Sequence, residues 1–183
     1  GTQIAYTCRK KAGLKYAIST DSDIYLYNLS NKTTRNLCKP DGFVAPEVKV
    51  TESLEGQSIN SPHSTDDYNM GYDQNPQFSP DGKYVAWSSM MRDGYESDRS
   101  RLCVYELATG KKTYVTESFE SSVNEFLWQP DSKSFYFTGC WHGKTNIYST
   151  TLQGHVKQLT NETADYVLVS LNATGKGVLT KRH

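Results

Sequence analysis

The stretch NPQFSPDGKYVAW, residues 75–87, reads as two short strands closed by a tight turn. Pro80 presets φ for the second turn position, Asp81 tolerates the third, and Gly82 accepts the left-handed conformation that closes such a hairpin. About fifty residues later FLWQPDSKSFYF (126–137) repeats the grammar, with Trp128-Gln129-Pro130-Asp131-Ser132-Lys133 as the turn. VSLNATGKGVLT (169–180) repeats it again; the proline is lost but Gly175-Lys176 remains.

Working outward, each hairpin opens a longer unit. After the first, RLCVYEL (101–107) is a third strand, ATGKK (108–112) a tight turn and TYVTE (113–117) a fourth strand. Residues 75–117 therefore form a complete four-stranded unit, strands a to d. SFYFTGC, TNIYSTTL and VKQLT continue the second hairpin into another complete unit over 123–160. Residues 164–183 supply only strands a and b. Read backwards, QIAYTC aligns with YVAWSS and SDIYLYNL with SRLCVYEL, and TRNLC follows as strand d, so 1–39 is a unit of strands b, c and d. A long d–a insertion occupies 40–74.

Four antiparallel strands in every 40–50 residues or so are the signature of a β-propeller. A β-sandwich offers strands at similar spacing, but it has no reason to repeat its turn residues in register. The expected fold is all-β, a partial β-propeller with about two complete and two partial blades, and no segment reads as a long amphipathic helix. The chain opens in mid-strand, so the natural protein is expected to extend in both directions. Open blade faces and sheet edges would need cover, and a homo-oligomer is one way to supply it.

Twenty Lys and Arg balance twenty Asp and Glu. That argues against nucleic acid or a membrane surface as partner, since both demand a basic excess. No apolar run approaches the ~18 residues that span a bilayer. Hydrophobic residues are only 36%, but 13 tyrosines suit half-buried sheet faces. Cys8, Cys38, Cys103 and Cys140 sit singly, without C-x-x-C pairs or zinc spacing. They read as buried free thiols inside strands, with a disulfide as the alternative. Four N-x-S/T sequons (Asn28, Asn31, Asn161, Asn172) are near chance in so Ser- and Thr-rich a chain.

Hydrolase-elbow, P-loop, Rossmann and H-E-x-x-H motifs are absent, and no cofactor or metal is expected. His63, His142, His155 and His183 read as solvated loop residues, and Asp21/Asp23 and Asp66/Asp67 as solvated carboxylate pairs. The functional signal is topological. In an up-and-down blade the a–b and c–d turns lie on one face, and here they are tight. The b–c and d–a connections lie on the other: 9–21, 89–100, GCWHGK (139–144) and 40–74 read as long and irregular. Loops of such length are commonly functional. One of them, MMRDGYESDRSR (90–101), packs Arg92, Asp93, Glu96, Asp98, Arg99 and Arg101 around Gly94-Tyr95. Two readings stay open: an ion network that holds the loop, and a carboxylate platform for a cationic group.

Phe78–Trp87, Arg92 with Gly94-Tyr95-Glu96-Ser97-Asp98-Arg99, and Trp128–Phe137 together resemble the propeller of the prolyl oligopeptidase clan of serine peptidases, in particular its dipeptidyl peptidase and acylaminoacyl-peptidase branch. The resemblance covers 75–160 well, 1–40 fairly well and 41–74 hardly at all. It implies a propeller that gates and selects substrate over a C-terminal α/β-hydrolase domain, which would carry the catalytic residues. It also implies peptide substrates and a periplasmic or secreted location. Related dipeptidyl peptidases bind the substrate's free N-terminus with a paired Glu-Glu. This chain has no adjacent pair; Glu96 and Asp98, with Arg92 and Tyr95 beside them, are the nearest analogue. The rival expectation is a periplasmic Tol-type propeller that docks proteins and carries no peptidase.

Overall fold

The computed structural model describes residues 1–44, 69–172, 174–175 and 177–183. Most of the expected 40–74 insertion, with His63 and Asp66/Asp67, lies outside the described residues. The described chain is an all-β partial propeller in two compact units: Gly1–Asp73 with Met90–Asp98, and Gln74–Ser89 with Arg99–His183.

The first unit holds an antiparallel sheet of β1 (Gln3–Cys8), β2 (Asp23–Asn28) and β3 (Thr33–Asn36), in that order. Its core is Ile24, Tyr25, Leu26, Leu37 and Cys38. Tyr6 and Tyr25, directly opposite in register, stack with centroids 5.7 Å apart. A short helix, α1 (Leu14–Ile18), sits in the connection between β1 and β2.

The second unit contains two four-stranded sheets and a hairpin. β4 (Asp73–Phe78), β5 (Tyr84–Ser89), β6 (Arg101–Glu106) and β7 (Lys112–Tyr114) form one sheet; β4's first residue belongs to the other unit. β8 (Val123–Trp128), β9 (Ser134–Trp141), β10 (Lys144–Thr151) and β11 (Lys157–Gln158) form the next, and β12 (Tyr166–Leu171) pairs β13 (Val178–Arg182).

The three repeated hairpins share one geometry. Gly82 N–H donates to Ser79 O, Ser132 to Gln129 O and Gly175 to Asn172 O, at 2.9, 3.1 and 2.9 Å. The donating residue is left-handed each time, with φ of 72°, 56° and 68°. Asp81 and Asp131 clamp the first two turns by accepting from the amides of Lys83 and Lys133. The bonds from Ser79 and the Lys83 amide hold the Asp81 carboxyl below its ordinary range.

The turns lie at the ends of strands that bury aromatic residues between neighbouring sheets. Ala86, Leu102, Val104 and Val115 meet Phe126, Trp128, Phe135, Phe137 and Tyr148, with Phe119 from the β7–β8 connection wedged among them. Phe137 stacks on Tyr148 at 5.3 Å and takes the edge of Phe119 at 5.2 Å. Polar side chains register the sheets. Trp128 Nε1 donates to Gln77 O and Gln77 Nε2 to Phe126 O, each at 3.2 Å. Thr150 Oγ1 donates to Val115 O at 2.7 Å, and Glu125 accepts the Leu168 amide at 2.8 Å. A second cluster of Ile147, Tyr166 and Leu168 packs the hairpin β12–β13 on this sheet.

Gly139 shows how closely this core is filled. A Cβ there would stand 2.5 Å from the Phe119 ring. Phe119 is buried and cannot swing clear, so Gly139→Ala is expected to cost about 1–3 kcal/mol by overpacking. Urea denaturation of the variant checks this; an unchanged midpoint would mean that the ring has room to move.

Two sequence expectations need correction. GCWHGK is a tight turn: Trp141 pairs Lys144, and His142 and Gly143 both take positive φ, 52° and 73°. That pair of left-handed residues matches the twist of the flanking strands, so β9 and β10 extend to eight residues each. The cysteines are free, but they are not all buried in strands. Cys103 is buried in β6 and Cys8 half-buried in β1, whereas Cys38 is buried just beyond β3 and Cys140 is exposed.

Candidate functional site

The 90–98 segment is held to the first unit by backbone and side chain together. Met90 N–H donates to Tyr72 O at 2.7 Å and Met70 N–H to Met91 O at 2.9 Å. Gly71 has to be glycine for this approach, because a Cβ would lie 2.8 Å from Met90 O. Asp93 then accepts from Ser19 Oγ at 2.9 Å and from the Thr20 amide at 2.7 Å. The Gly94 amide returns a bond to Thr20 Oγ1 at 2.9 Å.

The four residues singled out from sequence divide into two groups. Arg92 and Asp98 form a salt bridge, with Arg92 Nε donating to Asp98 Oδ1 at 2.9 Å and the Arg92 amide to Asp98 Oδ2 at 2.8 Å. The guanidinium lies 4.1 Å over the Tyr95 ring. Asp98 is buried. This trio closes the loop on itself. Glu96 stands apart: it is exposed, and its one hydrogen bond among the described residues comes from the Tyr72 hydroxyl at 3.3 Å. No Lys, Arg or His nitrogen among the described residues lies within ion-pair distance of it.

The expected single ion network is therefore split. Arg99 and Arg101 turn to Glu117, each at 3.0 Å. Arg99, Arg101 and Glu117 all belong to the other unit. The residues that hold the site but escaped sequence reasoning are Ser19, Thr20, Asp93's clip to them, and Tyr72. The available signal was that 9–21 and 89–100 are both b–c connections on the same face. His142, His155 and His183 are exposed, as solvated loop residues should be.

A second polar constellation lies in the same unit. Lys39 is buried with its ammonium on Asp21 and, at 2.6 Å, on Asp23 Oδ1. Lys11 reaches Asp21 Oδ2 at 2.6 Å, and Asn36 Nδ2 donates to Asp23 Oδ2 at 2.9 Å. These side chains line a pocket of about 300 Å³ with Lys10 and Tyr25. The Asp21/Asp23 pair is thus not solvated: Asp21 is buried and Asp23 half-buried, because Lys39 comes back from beyond β3 to neutralise both. Burial lowers the Lys39 pKa, but the charges of Asp23 and Asp21 outweigh it and leave a net rise. Burial, with help from Asp23, pushes the Tyr25 phenol up to about 12.

Asp23, Cys38 and Asp73 bring their ligand atoms within 4.8 Å of one another. They do not suit a cation. Asp23 is already taken by Lys39 and Asn36, and the Lys39 ammonium would repel a metal ion. Burial first, and the charge of Asp73 second, raise the Cys38 thiol well above its ordinary range, so it stays protonated. Its sulfur accepts the Ile24 amide at 3.2 Å. The trio is a hydrogen-bonded support for strand β2.

No protein-family model matches the chain. It is 42% identical over its whole length to dipeptidyl-peptidase 5 of Porphyromonas gingivalis, and 43% identical over 95% of its length to dipeptidyl-peptidase 5 of Porphyromonas endodontalis. It spans 22% and 21% of those proteins, about a fifth of their length. Among solved structures it resembles TolB from Acinetobacter baumannii (TM-score 0.57, 18% identity, 99% of this chain and 38% of that one). It also resembles the β-propeller domain of the Trilobed protease from Pyrococcus furiosus (TM-score 0.55, 17% identity, 94% of this chain and 44% of that one). Identities that low carry the fold alone. With the full-length match in sequence and the blade-type sheets in structure, the chain is a β-propeller segment homologous to part of the dipeptidyl-peptidase 5 proteins.

Proposed function

We propose that this chain is the propeller portion of a serine exopeptidase that releases dipeptides from peptide N-termini, acting as gate and substrate-selecting cap over an α/β-hydrolase domain. The observation that carries the reading is the 42% identity along the full chain to dipeptidyl-peptidase 5. Its four sheets are read as successive blades, its partners as the hydrolase domain and the peptide, and its location as periplasmic or secreted.

The loop geometry supports a division of labour. Asp98 is spent on Arg92, whereas Glu96 is an exposed carboxylate with one long hydrogen bond among the described residues. A substrate ammonium can take Glu96 without breaking an ion pair among the described residues. Glu96 is thus the amine anchor, with the Tyr72 hydroxyl steadying its carboxylate and the Arg92–Tyr95–Asp98 trio fixing the turn beneath.

Nucleophilic catalysis needs an activated nucleophile with a base in reach, and the reading places both outside residues 1–183. The purified 1–183 chain is expected to give no turnover of dipeptidyl-aminocoumarin substrates. The longer protein should label with a fluorophosphonate and release dipeptides. Turnover by 1–183 alone, or a longer protein that neither labels nor cleaves, contradicts the proposal.

A further inference from the structure

We propose that Asp93 is a positioning residue of this site, setting Glu96 through a clip to Ser19 and Thr20; the inference rests on the reading of Glu96 as the amine anchor. Four observations converge on it. Asp93 lies three positions before Glu96, and its carboxylate reaches across to the β1–β2 connection rather than to any cation among the described residues. Its partners are buried although Asp93 itself is at the surface: Ser19 is 5% and Thr20 4% exposed. The clip is reciprocal, because Thr20 Oγ1 accepts the Gly94 amide at 2.9 Å while the Thr20 amide donates to Asp93. It is also directional, since Ser19 Oγ accepts the Asp21 amide at 3.1 Å, which leaves its proton for Asp93.

The same short segment registers the other half of the site. Ser22 bridges Tyr72 in parallel, its amide donating to Gly71 O at 3.4 Å, and the Asp73 amide donates back to Ser22 O at 3.1 Å. Residues 19–22 thereby fix both the turn that carries Glu96 and the segment before β4 that carries the Tyr72 hydroxyl. Gly94, with φ of 78°, supplies the left-handed step that turns the chain from the clip towards Tyr95 and Glu96. A loop with so few apolar anchors depends on such bonds for its order. Charge-assisted bonds such as those to Asp93 are stronger than neutral ones.

The test uses the full-length protein with Asp93→Ala, Asp93→Asn, Glu96→Gln and the Asp93→Ala/Glu96→Gln double variant. Asp93→Ala should speed amide exchange across 94–97 roughly tenfold. It should raise KM for peptides with a free N-terminus about tenfold, with kcat changed less than about twofold, and leave N-acylated peptides unaffected. Asp93→Asn keeps one acceptor oxygen and should recover part of the loss. In the Glu96→Gln background, Asp93→Ala should cost nothing further on free-amine substrates. Unchanged exchange in Asp93→Ala, equal loss on both substrate classes, or full additivity with Glu96→Gln would overturn the positioning role. Faster exchange with no effect of Glu96→Gln on selectivity would instead overturn the amine anchor, and with it Asp93's part in substrate binding.

Discussion

Glu96→Gln in the full-length enzyme is expected to lower kcat/KM about 10- to 100-fold for peptides with a free N-terminus. A charge-assisted hydrogen bond to an ammonium is worth about 1.5–3 kcal/mol, which corresponds to a loss of that size. The substitution keeps the shape of the side chain and its bond from Tyr72, and it breaks no ion pair among the described residues. The loss should therefore fall on binding of the charged amine, and it should largely vanish for N-acylated substrates. Had Glu96 paired with Arg92, Arg99 or Arg101, both substrate classes would suffer alike. Equal losses, or none, in steady-state assays would remove Glu96 from substrate recognition.

Lys39→Met is expected to be the most damaging single change in the first unit. Removing one partner of a buried ion cluster leaves charge uncompensated, at a cost of about 3–5 kcal/mol. Among the described residues Lys39 alone neutralises Asp23, and it shares Asp21 with Lys11. Methionine fills the aliphatic path of the side chain without its charge, so packing loss should be small. The pH dependence follows from the direction of the shift. The Lys39 pKa is raised above 10.5 in the folded state, so its contribution is complete below the unfolded value. It is lost only as pH rises through the higher, folded one. The gap between wild type and Lys39→Met in denaturant midpoint should be wide at pH 7–9 and narrow only above about pH 10.5. A gap already closed at pH 9, or never open, would show that Lys39 is not the neutralising charge.

The fold was legible because its information is local. Ser79-Pro80-Asp81-Gly82 specifies its turn through φ preferences and an Asp side chain that caps its own loop, and the copy at Gln129–Ser132 does so with serine in the left-handed place. Repetition of that chemistry in register separated a propeller from a sandwich. The 90–101 loop was legible as a cluster of charge, but its wiring was not. Asp93 finds Ser19 and Thr20 more than seventy residues away, and Glu96 finds Tyr72 across a connection. Nothing in local sequence distinguishes those pairings from Glu96 with Arg99. Asp21 and Asp23 looked solvated for the same reason: the lysine that buries them arrives from beyond the next strand. GCWHGK looked irregular because histidine is an uncommon occupant of a left-handed turn position, although Gly143 beside it was the usable cue.

The most direct measurement is a crystal structure of the full-length protein with a dipeptide product bound. The product's ammonium nitrogen should lie within hydrogen-bond distance, about 3 Å, of a Glu96 carboxylate oxygen, with Asp98 still on Arg92 and Asp93 still on Ser19 and Thr20. A product whose ammonium is held by another carboxylate, with Glu96 still facing only Tyr72, would contradict it.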